Sequence, residues 1–460
     1  MKILVCIRQG RDGEINPFDA CAYEEALKIG GDITVISMGP PKTYDFLLRL
    51  TRLGAKKAIL LTDKAFAGAD TLATAYTLSL AAKKINPDLI ICGRQTLEGD
   101  TAQVGPMLSV KMGYSLITNV TALKTEENSI VCETRNNGRQ KAEFPALITV
   151  ERINNLRLPS IRSKQGEVEI WSAEDLGANI DKCGLAGSPT RVLKTYENES
   201  GKRKCKFIKP EELKSVIDKA LSKQIGDLPD NTPTNPLKKV YVVGEKPLKM
   251  AQTVSDDITV IDTDDYKEIC KIIKQDKPNA VLFASDDKSK MLSSLVAAEL
   301  DLGLCADCTR LENEENQLIM YRPALAGSVI GKIKSLTTPA LATVRTPDDK
   351  RKDIIVSVGY GVKDNCDKAK EFAQSINAEI GASRKMVDNG YMPYTAQIGL
   401  TGKTVSPPVF IALGISGAVH HIVGFERSGT VIAVNPDKNA PIFEYADYGI
   451  VTDFESILNI

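Results

Sequence analysis

The sequence predicts an α/β protein of three units: two related Rossmann-like parallel-sheet domains, then a C-terminal α/β domain. Three observations predict it. Short β-rich apolar runs alternate with helix-period segments through the first 113 residues, which means a parallel sheet with helices on its faces. KKINPDLIICGR (83–94) parallels KQDKPNAVLFAS (274–285), and KMGYSLITNVTAL parallels LDLGLCADCTRL about 190 residues on, a weak internal repeat. After residue 353 the alternation returns a third time.

Taken in order, KILVCIR is a strand, and Asn16-Pro17 caps and starts a helix through FDACAYEEALKI. DITVISMG, AILLTD and DLIICGR are strands, with YDFLLRLTRLG and ADTLATAYTLSLAAKKI as helices between them. Residues 115–150 become strand-like around an NNG turn at Asn136–Gly138, read as a hairpin closing the sheet. Residues 197–237 are lysine-rich, hold one helix (PEELKSVIDKAL) and end in DLPDNTPTNP, the composition of a linker. KKVYVVGE, DITVIDTD and PNAVLFAS are strands of the second unit. The charged run TPDDKRKD (346–353) reads as a solvated hinge, and IIVSVG, VFIALGI, TVIAV and ADYGIVTD as strands of the third unit. The expected domains are 1–196, 238–345 and 346–460, with 197–237 as linker.

Composition narrows the function. With 59 basic against 59 acidic residues, the chain carries no electrostatic footprint for nucleic acid or anionic lipid, and neither is expected as a partner. No run reaches the length of a membrane-spanning helix, and MKILVCIRQG lacks the long apolar stretch of a signal peptide. Ten cysteines without framework spacing point to a reducing cytoplasm. Cys305-x-x-Cys308 holds Asp307 and has no second such pair, so no metal site is expected.

Both histidines of the chain, His420 and His421, stand in GISGAVHHIVG (414–424). A strand entering a Gly/Ser turn before a helix presents unpaired backbone N–H groups, a seat for a phosphate. Gly414 and Gly417 allow close approach of backbone and ligand. No GxGxxG or GxxxxGK[ST] occurs, so the turn is neither a standard dinucleotide fingerprint nor a P-loop. Read alone, it is equally an ordinary tight connection, with the histidines as a helix-face residue and a core residue.

Further motifs follow in series: GASR (381–384), QIGLTGKTVSPPVFIALGISGAVHHIVG from 397, TVIAVNPDKNAPIF (430–443) and YADYGIVTD (445–453). In order and spacing they resemble the FAD-binding domain of the electron transfer flavoprotein α subunit. The resemblance implies that Ser383, Arg384, Gln397, Thr401, Gly402, Ser416, Gly417, His421, Asn435 and Asp447 contact FAD. His420 stands where that family usually has glutamine and is read as pointing elsewhere. INPFDACAYEEAL (15–27), VISMGPP (35–41), LTDKAFAGADTLATAY (61–76), GRQTLEGDTAQVGP (93–106) and GLAGSPTRV (184–192) resemble the β subunit. There the resemblance implies a nucleotide on Asp70, Thr71, Asp100, Thr101, Gln103 and Val104, with Asp100 and Thr101 able to cap a helix whose N–H groups seat a phosphate. LPSIR falls at the family's partner-recognition loop, which implies partner contacts through Leu158, Pro159, Ile161 and Arg162. Residues 238–345 resemble the first domain of the α subunit, so the chain reads as β and α subunits fused in that order.

The implied function is an electron carrier working with flavin-containing dehydrogenases of acyl-CoA dehydrogenase type, or with a quinone or ferredoxin acceptor system. The wording of the first domain resembles the electron-bifurcating branch, in which a second FAD accepts hydride from NADH. The alternative is AMP at that place, as in conventional carriers. Arg384 suits a flavin, because a guanidinium stays charged and favours a reduced ring's negative charge. At ~4 Å and an effective dielectric near ~20 it contributes up to ~4 kcal/mol, or roughly 170 mV for one electron before desolvation is deducted. His421 would donate a hydrogen bond, or a full charge if protonated, to the flavin's N1/C2 edge.

Some segments depart from the family pattern. The loop QGRDGE after the first strand is short, Tyr360 replaces an arginine, and Leu400 replaces a polar residue. The second unit starts at a strand matching the family's second, as if its first strand and helix were missing and the helix at 211–222 filled the gap. A non-redox adenine-nucleotide-binding protein is the rival from another class. An adenylating enzyme lacks its phosphate loop.

Overall fold

In the computed structural model the described residues are all except 11–12, 97, 136–137, 198–201, 223–235, 325–328, 346–352, 401, 404, 427 and 458–460. The chain divides into two units. One comprises Met1–Thr195, Pro233–Leu325 and Gly331–Val344; the other comprises Tyr196–Thr232, Ala326–Ile330 and Arg345–Ile460.

The first unit opens with β1 (Lys2–Cys6), α1 (Pro17–Ile29), β2 (Asp32–Met38), α2 (Thr43–Thr51), β3 (Lys57–Leu61), α3 (Thr71–Ile85), β4 (Leu89–Gly93) and α4 (Val104–Met112). β5 (Ser115–Thr125), β6 (Ser129–Thr134), β7 (Gly138–Glu143), β8 (Ala146–Val150) and β9 (Glu167–Trp171) complete one sheet of order β7-β6-β5-β8-β4-β1-β2-β3-β9. Its inner strands are buried on both faces, which is why they read as unbroken apolar runs. Pro17 does start α1, but the Asn16 side chain makes no capping bond; its amide reaches Gln95 O instead. The antiparallel β5–β6–β7 meander forms one edge, and the turn residues Asn136 and Asn137 lie outside the described residues.

β10 (Thr190–Glu197) joins a small separate sheet, after which the chain supplies β11 (Lys206–Phe207) and α5 (Leu213–Ser222) to the second unit. It then returns with β12 (Val240–Val243), α6 (Leu248–Ala251), β13 (Ile258–Ile261), α7 (Tyr266–Asp276), β14 (Ala280–Ala284) and α8 (Asp287–Leu300). β15 (Leu304–Cys308), β16 (Arg310–Glu314), β17 (Gln317–Ala324), β18 (Val329–Ser335) and β19 (Ala340–Val344) follow. The five-stranded order β13-β12-β14-β19-β15 repeats β2-β1-β4-β8-β5 strand for strand. Even a bulge recurs. Asn119 and Asp307 both adopt left-handed φ (58° and 56°), a region these two residue types tolerate, and their N–H groups donate to Thr149 and Thr343 hydroxyls.

This topology corrects the expected gap. β12 sits centrally, as β1 does, so the first strand is present; β13 instead runs into α7 through Asp262–Asp265, with no counterpart of α2 and β3. Nor does the linker helix fill a gap there. Leu213, Ile217 and Ala220, spaced along one face of α5, pack with Ile354, Val356 and Leu413 in the core of the second unit.

The second unit continues with β20 (Ile354–Val358), α9 (Cys366–Ser375), β21 (Glu379–Ala382), α10 (Arg384–Asp388), β22 (Val409–Leu413), α11 (Val419–Ile422), β23 (Thr430–Val434) and β24 (Tyr448–Ile450). Its sheet, order β11-β24-β23-β22-β20-β21, is parallel throughout. Neither unit has, among the described residues, a helix long and apolar enough to cross a membrane.

Candidate functional site

In the second unit the chain leaves β20 to build β21 on one side and returns to β22 on the other. Such a reversal opens a crevice at the carboxyl ends of parallel strands, where ligands of this sheet type bind. Ser383 and Arg384 follow β21, Gly414–Gly417 follow β22, and Asn435 follows β23, so topology gathers them at that edge. The GISG turn needs its glycines. Gly417 has φ +97°, and a Cβ there would sit 2.3 Å from Ile442 N. Ser416 is exposed, and half-buried Ser383 begins α10 without a side-chain capping bond. Arg384 Nε donates to Asp388 at 3.2 Å, which offsets part of its field. Asn435 braces the edge, donating to Ile415 O at 2.9 Å and accepting from Asp437 N at 2.9 Å. Gln397 is buried and Gly402 packs on its carbonyl, where a Cβ would approach to 2.3 Å. Thr401 lies outside the described residues.

Asp447 lies apart from the other expected flavin residues. Asp447 precedes β24 and therefore lies at the amino edge of the sheet, away from the others. There it accepts from Val431 N at 2.8 Å and pairs with Arg203, which also donates to Glu426 O, Ser428 O and Gly429 O. The acid that follows β24, on the crevice edge, is exposed Asp453, which the sequence reading passed over.

The two histidines sit in different surroundings. His421 is 5 % exposed, and its Nδ1 lies 2.8 Å from Ile398 O and its Nε2 3.3 Å from Ser357 Oγ. Since a carbonyl only accepts, Nδ1 carries the proton and Nε2 accepts from the serine. Burial pushes the imidazole down to about 4 despite that carbonyl, so the ring is neutral and holds no spare N–H for a ligand. His420 is the exposed member; partial burial and then Arg384 move it below the usual histidine value.

In the first unit, ten residues (94–103) connect β4 to α4, whereas Ser285 and Asp286 alone connect β14 to α8. The expected nucleotide residues sit on this insertion and beside it. Asp100 does not cap α4: its carboxylate takes the Gln95 amide, and Gln103 occupies the cap position without a side-chain capping bond. Asp100 (φ 52°) and Ala102 (φ 55°) hold the loop in left-handed backbone. Thr71 Oγ1 donates to Gln103 Oε1 at 2.6 Å. Gln103 Nε2 is left buried without a hydrogen-bond partner, as is Asn16 Oδ1 across the loop, a residue the sequence reading took only for a cap. Asp70 is architectural: it caps α3 through Leu72 N and Ala73 N and accepts from Thr190 Oγ1 at 2.8 Å. Thr101 is half-buried, and Val104 begins α4. Asp19 lies buried under the loop, and desolvation raises it to about 7 against bonds from Arg8 and Gly93 N–H groups.

The loop at 158–162 has a fixed base and an apolar tip. Arg157 grips Glu24 with its backbone N–H and guanidinium (2.8–3.1 Å), while Leu158 and Ile161 are 90 % and 99 % exposed and Pro159 and Arg162 are exposed beside them.

The electron transfer flavoprotein domain model matches residues 3–176 and 253–350, and the electron transfer flavoprotein FAD-binding domain model matches 350–426. Protein FixA of Azorhizobium caulinodans is 42 % identical over 211 residues, 41 % of this chain and 75 % of that protein. From Thermoanaerobacterium thermosaccharolyticum, electron transfer flavoprotein subunit beta is 42 % identical over 202 residues (41 % of this chain, 78 % of the subunit). Subunit alpha of the same organism is 35 % identical over 240 residues (42 % and 73 %). With β-like and α-like parts joined in one polypeptide and an FAD-binding domain in the second part, this chain belongs to the electron transfer flavoprotein family.

Proposed function

We propose that this electron transfer flavoprotein passes electrons through an FAD seated at the carboxyl edge of the second unit's sheet, and that loop 94–103 holds a second adenine nucleotide. When bound, FAD supplies the redox chemistry, taking up and releasing electrons. The chain's own residues bind and orient it: Arg384 offers a permanent cation, Ser383 and Ser416 offer hydroxyls, and the 414–417 turn offers backbone N–H groups. His421 works as a neutral wedge that fixes the Ile398 segment behind this edge, leaving His420 as the imidazole able to reach a ligand.

For the first unit, the observation that carries the reading is the pair of orphaned buried atoms, Gln103 Nε2 at the start of α4 and Asn16 Oδ1, whose own amide donates to Gln95 O in the loop. Burying such groups unmet costs ~1–3 kcal/mol each, which a nucleotide's polar edge and phosphate offset on binding. We favour a second FAD that accepts hydride from NADH, giving electron bifurcation, over AMP. Leu158, Pro159, Ile161 and Arg162 dock flavin-containing dehydrogenases of acyl-CoA dehydrogenase type, and a quinone or ferredoxin system is the other acceptor class. Denaturing the purified chain and counting released ligands by chromatography tests this. Two FAD per chain, bleached by NADH under anaerobic conditions, is the expected result. One FAD with one AMP means a carrier without bifurcation. No FAD, even after incubation with excess, overturns the electron-carrying role.

A further inference from the structure

The second half of the first unit lacks the ten-residue insertion, yet it grips that insertion twice. Arg94, the first loop residue, donates to Asp287 at 2.9 Å from the start of α8. Arg135 also reaches Asp287 at 3.0 Å, and both arginines lie near Glu151, at 3.4 and 3.0 Å. Arg94, Arg135, Glu151 and Asp287 thus form a largely buried cluster of two cations and two carboxylates, one of which comes from the second half. Farther along, Arg322 of β17, 8 % exposed, donates to Gly99 O at 2.7 Å. Gly99 immediately precedes Asp100, which with Ala102 adopts left-handed backbone. Strained backbone of that kind persists where its surroundings over-determine it, and here part of the restraint comes from residues about 190 to 220 positions away.

We infer that Asp287 and Arg322 are positioning residues for the nucleotide loop, so that the second half sets the occupancy of a site it does not itself line. This rests on the nucleotide reading of loop 94–103 given above. By linkage, whatever occupies the loop also strengthens the seating of the second half on the first. The device explains why the repeat survives in a half that has no comparable loop: its topology is kept, and α8 begins where it can hold the insertion.

The test uses the full chain with its bound cofactors and three variants, Arg322→Met, Arg322→Lys and Asp287→Asn. Amide hydrogen exchange of peptides covering residues 95–103 is the primary readout, and retained AMP or FAD in the first unit is the second. Losing the Arg322 donor to Gly99 O, or the Asp287 carboxylate charge that accepts from Arg94 and pairs with Arg135, is expected to speed loop exchange about tenfold or more in Arg322→Met and Asp287→Asn, and less in Arg322→Lys. First-unit nucleotide falls in parallel while FAD of the second unit is retained. Loop exchange at the wild-type rate in both Arg322→Met and Asp287→Asn overturns the inference. If β1–β8 amides also lose protection in Arg322→Met, the fold has failed there, and Arg322→Lys with Asp287→Asn decide alone. Faster loop exchange in variants of a protein whose wild type retains no first-unit nucleotide upholds the clamp and removes the nucleotide reading instead.

Discussion

A chain with two histidines lets one titration test the interior of the FAD-binding unit. His421 is buried, bonded through both nitrogens and held down at about 4, whereas His420 is exposed. The drop from 6.5 to about 4 corresponds to ~3 kcal/mol of preference for the neutral ring in the folded state. Its sign follows from linkage. The unfolded chain takes up the proton first as pH falls, so the stabilisation is complete above about 6.5 and is lost progressively toward 4. At pH 5 roughly 2 kcal/mol of it has gone. The assay is a carbon-13 histidine titration of the intact chain, with His421→Gln to assign the resonances. One resonance should move with a midpoint near or somewhat below the ordinary histidine value, and the other should stay fixed down to about pH 5. Two resonances titrating together near 6.5 would refute the tautomer, the burial argument and the wedge role at once.

Other perturbations follow from the same geometry. Asp19, raised to about 7, disfavours its charged form when folded, so the first unit should lose up to ~4 kcal/mol as pH rises from about 4 through 7; Asp19→Asn should flatten that dependence in urea titrations followed by Trp171, the chain's one tryptophan. Gln103→Leu removes an orphaned buried donor together with the acceptor of Thr71 Oγ1, two effects that oppose each other, so it should change the stability of the nucleotide-free fold by less than ~1 kcal/mol while weakening AMP binding about tenfold in calorimetry. Arg203→Met frees three carbonyls and Asp447 and should lower the stability of the second unit by ~2–4 kcal/mol, read as an earlier urea midpoint for FAD release. Leu158→Ala should slow electron exchange with a partner dehydrogenase at unchanged flavin content; unchanged kinetics would remove this loop as a docking tip.

Strand–helix alternation was legible throughout the two-sided sheets, because residues buried on both faces leave uninterrupted apolar runs. Short edge pieces such as β9 and β11 were not, since a strand half open to water carries mixed residues such as EVEIW and KF. The internal repeat was visible in sequence, but its missing piece was misplaced, because local matching cannot say which strand is central. Asp447 illustrates a signal that was available: in a parallel sheet a residue just before a strand lies at the opposite edge from one just after it, which alone favours Asp453. The histidines illustrate one that was not. Whether an imidazole faces in or out depends on where Ile398 and Ser357 arrive, and those come from segments 23 and 64 residues away.

The placement of β11 and α5 sets where this polypeptide can be divided. A cut between α5 and β12 follows the composition of the sequence, yet it would leave Leu213, Ile217 and Ala220 on the amino-terminal fragment and strip a strand and a helix from the carboxyl-terminal one. Two such fragments would each carry half of a shared fold and would have to find each other to complete it, much as a hook requires its eye. A cut upstream of Arg203 would instead release a carboxyl-terminal chain owning all its own sheet, but only after the intervening β12–β19 excursion had also come away with it. Continuity of the chain at this point is therefore part of how the flavin-binding unit is made, and a genetic fusion here preserves an interlocking that separate genes would have to re-create by assembly.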